Sequence, residues 1–478
     1  MGDQRDGSRC AVRYVVLSVG SCALNLEKLM YRNVPLWLVL ALVLLGLLVL
    51  IAFGSLISYA AAGGQHFKFL SKPATAIADI PLNLAKFVAV NNSEPIMAEP
   101  REDLPDGFWR NPDAHFVDDG YALIPRFVAK RKRYLILLVR LSDGKVMHEY
   151  APDVAKINAL SHLDSSSGLS DHSPQRYSFG HPLLMPDGGL IFHDTSPQVR
   201  VDACGRPLWT IDGNFHHSNE LGPDGNIWTP STVLQSKIPH VGEDFKEDAI
   251  AEMSPDGRIL KRESIAAILE RNGLTALWRS RPYDVDPFHL NDIQPVLETG
   301  PYWQKGDLFI SLHNLAMIML YRPSTGQILW WRQGPWSNQH DVDILDDHRI
   351  QIFDNGVYSE NTRPTTQLLK GEYVVNHNRL YVYDFKTGKS ESPFETAFAK
   401  WDIRTITEGL ATSMSNGDMF VEETNYGRVL RLSPDGTVRW RYIAGGARGA
   451  RYEMGWSRYL DPKADAAGIA AATNARCS

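Results

Sequence analysis

One hairpin turn recurs along this chain, and that recurrence limits the available folds more than any other feature. It appears in "LSDGKVMHEY" (141–150), "MPDGGLIF" (185–192), "GPDGNIW" (222–228) and "SPDGRIL" (254–260). It returns in "RPSTGQILWW" (322–331), "DFKTGKS" (384–390) and "SPDGTVRW" (433–440). Pro presets φ, Asp bonds its own backbone and Gly accepts a positive φ, so these are turns between hydrophobic strands. Helical periodicity is scarce; "ESIAAILERNGL" (263–274) is the main candidate and reads as an insertion. Many short strands at regular spacing predict an all-β architecture. A repeat unit of four strands in roughly 40–60 residues predicts a propeller. Six units are counted, at about 108–150, 178–213, 215–265, 288–334, 339–390 and 407–445. A β-sandwich is the rival fold, but it does not need so many near-copies of one hairpin.

The N-terminus carries a different signal. From Val34 to Ile57 the chain is apolar and uncharged. At ~1.5 Å per helical residue the run exceeds the ~30 Å hydrocarbon core of a bilayer. A signal peptide has a shorter apolar region of ~7–15 residues, so an uncleaved transmembrane helix is expected, with Ala60-Ala61-Ala62 leaving cleavage open. Arg5, Arg9, Arg13, Lys28 and Arg32 precede the span, and Lys68 and Lys72 follow it. The positive-inside bias places the N-terminus in the cytoplasm. The expectation is a single-pass protein of the inner (cell) membrane, its propeller facing the periplasm. The layout is then a cytoplasmic tail (1–33), a transmembrane anchor (34–62), a linker (63–107), a β-propeller (108–460) and a C-terminal tail (461–478).

Composition narrows the partners. The formal net charge is −6, with no basic block in the body of the chain, which argues against nucleic acid. The four cysteines, Cys10, Cys22, Cys204 and Cys477, form no CxxC, so neither a zinc ribbon nor a dense disulfide framework is indicated. Cys204 and Cys477 are expected to be unpaired, with a bridge between them left open.

Histidines fall at matching points of successive units. The third unit starts "HHSNELGPDGNIW" with His216 and His217, the fourth "FHLNDIQPV" with His289, and the fifth "QHDVDILDDHRIQI" with His340. Ile227 and Ile350 each lie ten residues after their histidine, His217 and His340. That register favours His217 over His216 as the residue facing the channel. His181 is one residue out of register and is expected to face away, because side chains alternate along a strand. His313 ends a strand of the fourth unit. His289 and Asn291 are two apart and share a face, whereas Asp341 is expected to point away from the ring of His340. Inner strands of a propeller line its central channel, so His217, His289 and His340 are expected to converge there. HxH and HExxH spacings are absent, and no carboxylate cluster is evident, so neither a metal nor another cofactor is expected. A channel of His and Asn donors suits an oxyanion such as a sulfate or phosphate ester.

The segments "HHSNELGPDGNIWTPS", "FHLNDIQPV", "GDLFISLHNL", "RPSTGQILWWRQG" and "WSNQHDVDILDDHRIQIFDNG" occur in that order. Together they resemble the bacterial arylsulfotransferases, which do not use 3′-phosphoadenylyl sulfate. The resemblance covers roughly residues 180–445 and implies a six-bladed propeller. It implies transfer of a sulfuryl group from an aryl sulfate ester to a phenolic acceptor through a histidine-bound intermediate. His340 matches the nucleophile, His217 and His289 match channel histidines that hold sulfuryl oxygens and move protons, and Asn291 matches a nearby asparagine. His216 and His313 are further substrate-binding candidates. The family pattern has an arginine in "S-x-R" where this chain reads "SLHN", so His313 replaces it; guanidinium forks two bonds to sulfate and imidazole does not. Trp336 and Phe288 are candidates to stack phenol rings, against the simpler expectation that both pack blades. Two other readings compete. One is a membrane-anchored non-catalytic propeller acting as a binding or assembly module. The other is a quinoprotein dehydrogenase, a class that usually has eight blades and a calcium ion.

Overall fold

The computed structural model describes residues 35–61, 66–81, 95–98, 104–114, 116–117, 120–161, 173–359, 372–446 and 449–477. The expected cytoplasmic tail, with Cys10 and Cys22, lies outside the described residues. The chain forms two compact units, Met1–Ala89 and Val90–Ser478.

In the first unit, Leu36–Ala61 is one α-helix with no acidic residue in its first turn and no basic residue in its last. None of its membrane-length stretch, Leu36–Ala60, is buried. A helix satisfies every backbone group within itself, so a helix of this length and composition fits a single-pass anchor or a signal sequence. A second helix, Lys68–Ala78, follows.

The second unit is a six-bladed propeller of antiparallel sheets. The second blade comprises Gly180–Leu184, Leu190–His193, Gln198–Val201 and Pro207–Ile211. The third runs from Glu220–Leu221 through Ile227–Val233 and Glu247–Met253 to Ile259–Ser264. The fourth uses Leu290–Pro295, Leu308–Leu312, Met317–Arg322 and Gln327–Gln333. The fifth uses His340–Ile344, Arg349–Asp354, Arg379–Asp384 and Lys389–Glu391, and the sixth starts at Leu410–Ser413 and ends at Val438–Ile443. Six is fewer than the eight blades usual in quinoprotein dehydrogenases.

The ring closes in a way the linear repeat does not show. Residues 108–110 were expected to open the first unit. They belong instead to strand Gly107–Arg110, which pairs with Val438–Ile443 as the outermost strand of the sixth blade. The first blade, Tyr121–Val128, Arg133–Arg140 and Lys145–Tyr150, takes its innermost strand from Arg458–Leu460 near the C-terminus. Each end of the propeller thus completes a blade begun by the other.

The core follows from strand alternation. On Tyr121–Val128, Leu123 and Phe127 join the second blade, while Ala122 and Ile124 join the sixth. The buried hydrophobic residues gather into six clusters, one between each pair of neighbouring blades. A strand with both faces covered reads as a continuous apolar run, and Leu308–Leu312 is buried at every residue. The seven turns read from the sequence all place their glycine in the left-handed region, from Gly388 (φ 67°) to Gly257 (φ 85°). At Gly188 a Cβ would also lie 2.6 Å from the backbone nitrogen of Ala472.

That residue sits on helix Ala466–Asn474, within the stretch expected as a tail. Ile469 and Ala472 enter the core between the first two blades. Cys204 and Cys477 form a disulfide, which corrects the expectation of free thiols. They lie 273 residues apart, and ring closure brings them together. Arg458 secures the same seam. It pairs with Glu220 (3.0 Å) and donates to the carbonyls of Pro182 (3.0 Å) and Asn219 (2.6 Å), tying the first blade to the second and third.

Candidate active site

Four imidazoles from three blades form a closed circuit at the hub. Ring centroids are 5.1 Å apart for His217–His289, 4.9 Å for His289–His313, 5.0 Å for His313–His340 and 5.5 Å for His340–His217. His216 stands behind His217, with their Nδ1 atoms 2.9 Å apart and its Nε2 facing Thr232 Oγ1 at 3.4 Å. Asn291 is fully buried and its Nδ2 donates to the Gln339 carbonyl (2.7 Å), tying the fourth blade to the fifth just ahead of His340. His181 lies outside the circuit, its ring 4.4 Å from that of Trp456.

Local backbone explains how these side chains reach the hub. His217 and His289 both adopt left-handed φ, 62° and 48°, just ahead of their inner strands. Such a conformation costs about 1–3 kcal/mol for a non-glycine residue and persists only where the surroundings fix it. His313 begins a 3₁₀ turn, and its backbone N–H donates to the His289 carbonyl (3.1 Å). His340 opens its strand opposite Phe353, with a bulge between His340 and Val342. The bulge turns Asp341 away to accept from the Ala411 backbone N–H (3.0 Å) on the sixth blade.

Asn355, from the "FDNG" turn, orients His340. Its Nδ2 donates to the carbonyls of Thr405 (3.2 Å) and Glu408 (2.8 Å), so Oδ1 is the atom facing His340 Nδ1 at 2.9 Å. An amide oxygen only accepts, so Nδ1 carries the proton and Nε2 keeps its lone pair. Burial, then its imidazole neighbours, hold His340 well below the ordinary imidazole range, so it is neutral. The same logic applies to His313. Asn314 Nδ2 donates to the Asp286 carbonyl (2.6 Å), which leaves Oδ1 to accept from His313 Nδ1 (2.6 Å). Burial and the charge of His289 lower His313 to about 3, so it is not a cation near neutral pH. Burial and then its imidazole neighbours also push His217 far down.

His289 is the exception. Burial alone would lower it, but the hydrogen bond and charge of Asp286, with Asp248 behind, carry it above the ordinary value. Asp286 Oδ2 lies 2.9 Å from His289 Nδ1 and 3.0 Å from Lys246 Nζ. The circuit therefore sets its most readily protonated imidazole beside a neutral ring with a bare Nε2, chemistry suited to gripping and attacking an anionic ester.

One expectation needs correction. The channel does contain carboxyls, because Asp292, Asp341 and Asp343 come from two blades and no single motif reveals them as a group. Burial raises all three, and their mutual charges and that of Glu220 add to it. Asp292 also accepts from the Val342 N–H (2.8 Å), so these groups brace neighbouring blades. Trp336 (2% exposed) and Phe288 (0%) are blade packing, as the simpler expectation had it. The aromatic residue at the circuit is Trp456, whose ring lies 6.2 Å from His217 and 6.3 Å from His340. Sequence reasoning missed Trp456, Asn355 and Glu408. Hairpin counting from Ile344–Ile350 would have brought Asn355 within a residue of His340, whereas Trp456 lies past the last repeat.

A closed ring of six blades with imidazoles gathered at its hub defines a propeller with a histidine-lined candidate site. Residues 181–445, more than half of the chain, match the arylsulfotransferase (ASST) family, and the chain belongs to it. Membership supports sulfotransferase activity and small-molecule substrates. No curated protein matches. Among solved structures, a protein of unknown function from Bacteroides caccae is similar at 12% identity and TM-score 0.41, over 68% of this chain and 93% of that one. TolB from Acinetobacter baumannii is similar at 13% identity and TM-score 0.37, over 71% and 64%.

Proposed function

We propose that this protein moves a sulfuryl group from an aryl sulfate ester to a phenolic acceptor without 3′-phosphoadenylyl sulfate, through a sulfohistidine at His340. The observation that carries the reading is the Asn355–His340 hydrogen bond, which presents a neutral imidazole with an unprotonated Nε2 next to the His289 cation. In the first step His340 Nε2 attacks sulfur in line, the N–S bond forms and the bond to the aryl oxygen breaks. In the second step the acceptor oxygen displaces His340. A loose transfer of this kind depends on positioning and charge stabilisation, as argued for phosphoryl groups. His289 supplies the positive charge to the sulfuryl oxygens, and His217 and Asn291 help define their place. His313 stands where the resemblance puts an arginine, and as a neutral ring it leaves His289 as the cation. The N-terminal helix anchors the protein in the inner membrane, with the propeller outside the cytoplasm.

The test is covalent. Full-length protein incubated with 4-nitrophenyl sulfate gains one sulfuryl group on the peptide holding His340, and His340→Ala gains none. Absence of any adduct across a panel of aryl sulfates sinks the proposal.

A further inference from the structure

Transfer between two phenols moves a proton as well as a sulfuryl group. His217, His313 and His340 are all pushed well below their ordinary range, and Asp286 raises the fourth ring, His289.

A cavity beside the circuit supplies a different group. It holds about 230 Å³ and is lined by His217, Trp456, Tyr134, Met454, Glu453 and Glu408, among others. A void of about 150 Å³ admits benzene, so this one accommodates a phenol ring. Glu408 occupies on the sixth blade the place that His217 and His289 hold on theirs. It lies just ahead of the inner strand and is likewise left-handed, with φ 45°. Its carbonyl accepts from the Asn355 amide that also fixes His340, so one side chain sets both residues.

We infer that Glu408 is the proton carrier of the transfer proposed above, an assignment that rests on the sulfohistidine reading. In the first half-reaction the N–S bond to His340 forms, the aryl S–O bond breaks, and the Glu408 carboxylic acid protonates the departing oxygen, releasing a neutral phenol. In the second, the acceptor O–S bond forms, the N–S bond breaks, and the Glu408 carboxylate takes the phenolic proton. The acid is regenerated and no proton is gained or lost.

The surroundings agree with this role. Burial raises the Glu408 carboxyl above the usual carboxylate range, against the hydrogen bond of Thr407 and the charge of His289. The other acids near it move the same way: Glu453 is raised to about 7 by burial and by the charge of Glu408, and Glu422 is raised by burial. His216 and His217 line the same cavity.

The test compares two donors in full-length protein. The phenolate leaving 4-nitrophenyl sulfate needs little help from an acid, and the one leaving phenyl sulfate needs much. In Glu408→Gln the ratio of adduct-forming rates, 4-nitrophenyl sulfate over phenyl sulfate, rises by about 10²–10³ over wild type. An unchanged ratio overturns the assignment while adduct formation leaves the sulfohistidine reading standing. No adduct in wild type from either donor removes that reading itself. Should Glu408→Gln fail to fold, wild type alone decides the matter. Its rate with phenyl sulfate, relative to 4-nitrophenyl sulfate, falls as pH rises through the Glu408 pKa, and a ratio independent of pH overturns the assignment.

Discussion

Asp286→Asn keeps the shape of a side chain while removing the charge that makes His289 a cation. In the native protein, burial pulls His289 down and Asp286 outweighs it, through a 2.9 Å hydrogen bond and its charge. With that charge gone, the downward pull of burial is opposed chiefly by Asp248, and His289 becomes neutral at pH 7. The sulfuryl oxygens then lose a charged donor. Removing one preorganised donor of this kind costs about 10²–10³ in rate, or about 2.7–4 kcal/mol, so kcat/KM should fall by that factor. The assay is release of 4-nitrophenolate from its sulfate ester in the presence of excess phenol, followed across pH. Stability should respond too. The folded pKa of His289 is above its unfolded value, so its stabilisation is complete below about pH 6.5 and is lost as pH rises through the folded pKa. The folded pKa of Asp286 is depressed by His289 and Lys246 despite burial, so its contribution is present above about pH 4 and is lost as pH falls through the folded value. Both describe one pair, so wild type exceeds the variant most between about pH 4 and 6.5, and the gap narrows above that window. The Lys246 contact adds little, because its side chain is half exposed. Equal kcat/KM and an unshifted pH profile in Asp286→Asn would refute His289 as the cation of the site.

Two further outcomes follow from the packing. Asn355→Leu leaves the His340 Nδ1–H and the Glu408 carbonyl without their partner, at about 1–3 kcal/mol for each buried orphan. Thermal unfolding should move down accordingly and adduct formation should slow, and an unchanged adduct rate would show that Asn355 does not govern the tautomer. Cys204→Ser removes the cross-link to Cys477 and should cost about 2–4 kcal/mol. Wild type in reductant should then unfold with the variant; a melting temperature insensitive to both would show that the bridge adds nothing to stability.

The blades were legible in the sequence because each hairpin declares itself locally. "MPDGGLIF" or "SPDGTVRW" needs only its own residues to specify a turn and the strand after it. His217 and His340 were legible because each lies ten residues before a matching isoleucine, Ile227 and Ile350, and His289 because it immediately precedes its own inner strand. Closure was not. Nothing within residues 108–110 indicates that their partners are Trp440, Arg441 and Tyr442, and nothing near Arg458 points to Leu123. Those pairings exist only once six blades fill a circle. The bond between Cys204 and Cys477 and the placement of Trp456 depend on the same closure. Glu408 was missed for a chemical reason: a glutamate at a loop end is ordinarily a solvated residue, and only the cavity marks it out.

The circuit also shows why counting histidines does not assign their roles. Four identical side chains sit about 5 Å from their neighbours, centroid to centroid, yet acceptors outside the circuit put three of them into two different states. Asp286, three residues before His289, supplies a charge and makes a cation. Asn314, adjacent to His313, and Asn355, fifteen residues after His340, supply neutral oxygens that fix the proton on Nδ1, while burial keeps each ring uncharged. An aryl sulfate ester carries one negative charge, and the site meets it with one imidazolium. A guanidinium in place of His313 would add a second fixed cation about 5 Å from the first. At that spacing like charges repel by a few kcal/mol even at an effective dielectric near 20, and the repulsion would pull His289 toward its neutral form. The histidine at position 313 and the cation at 289 are therefore linked: His313→Arg should transfer the charge to the new side chain rather than double it.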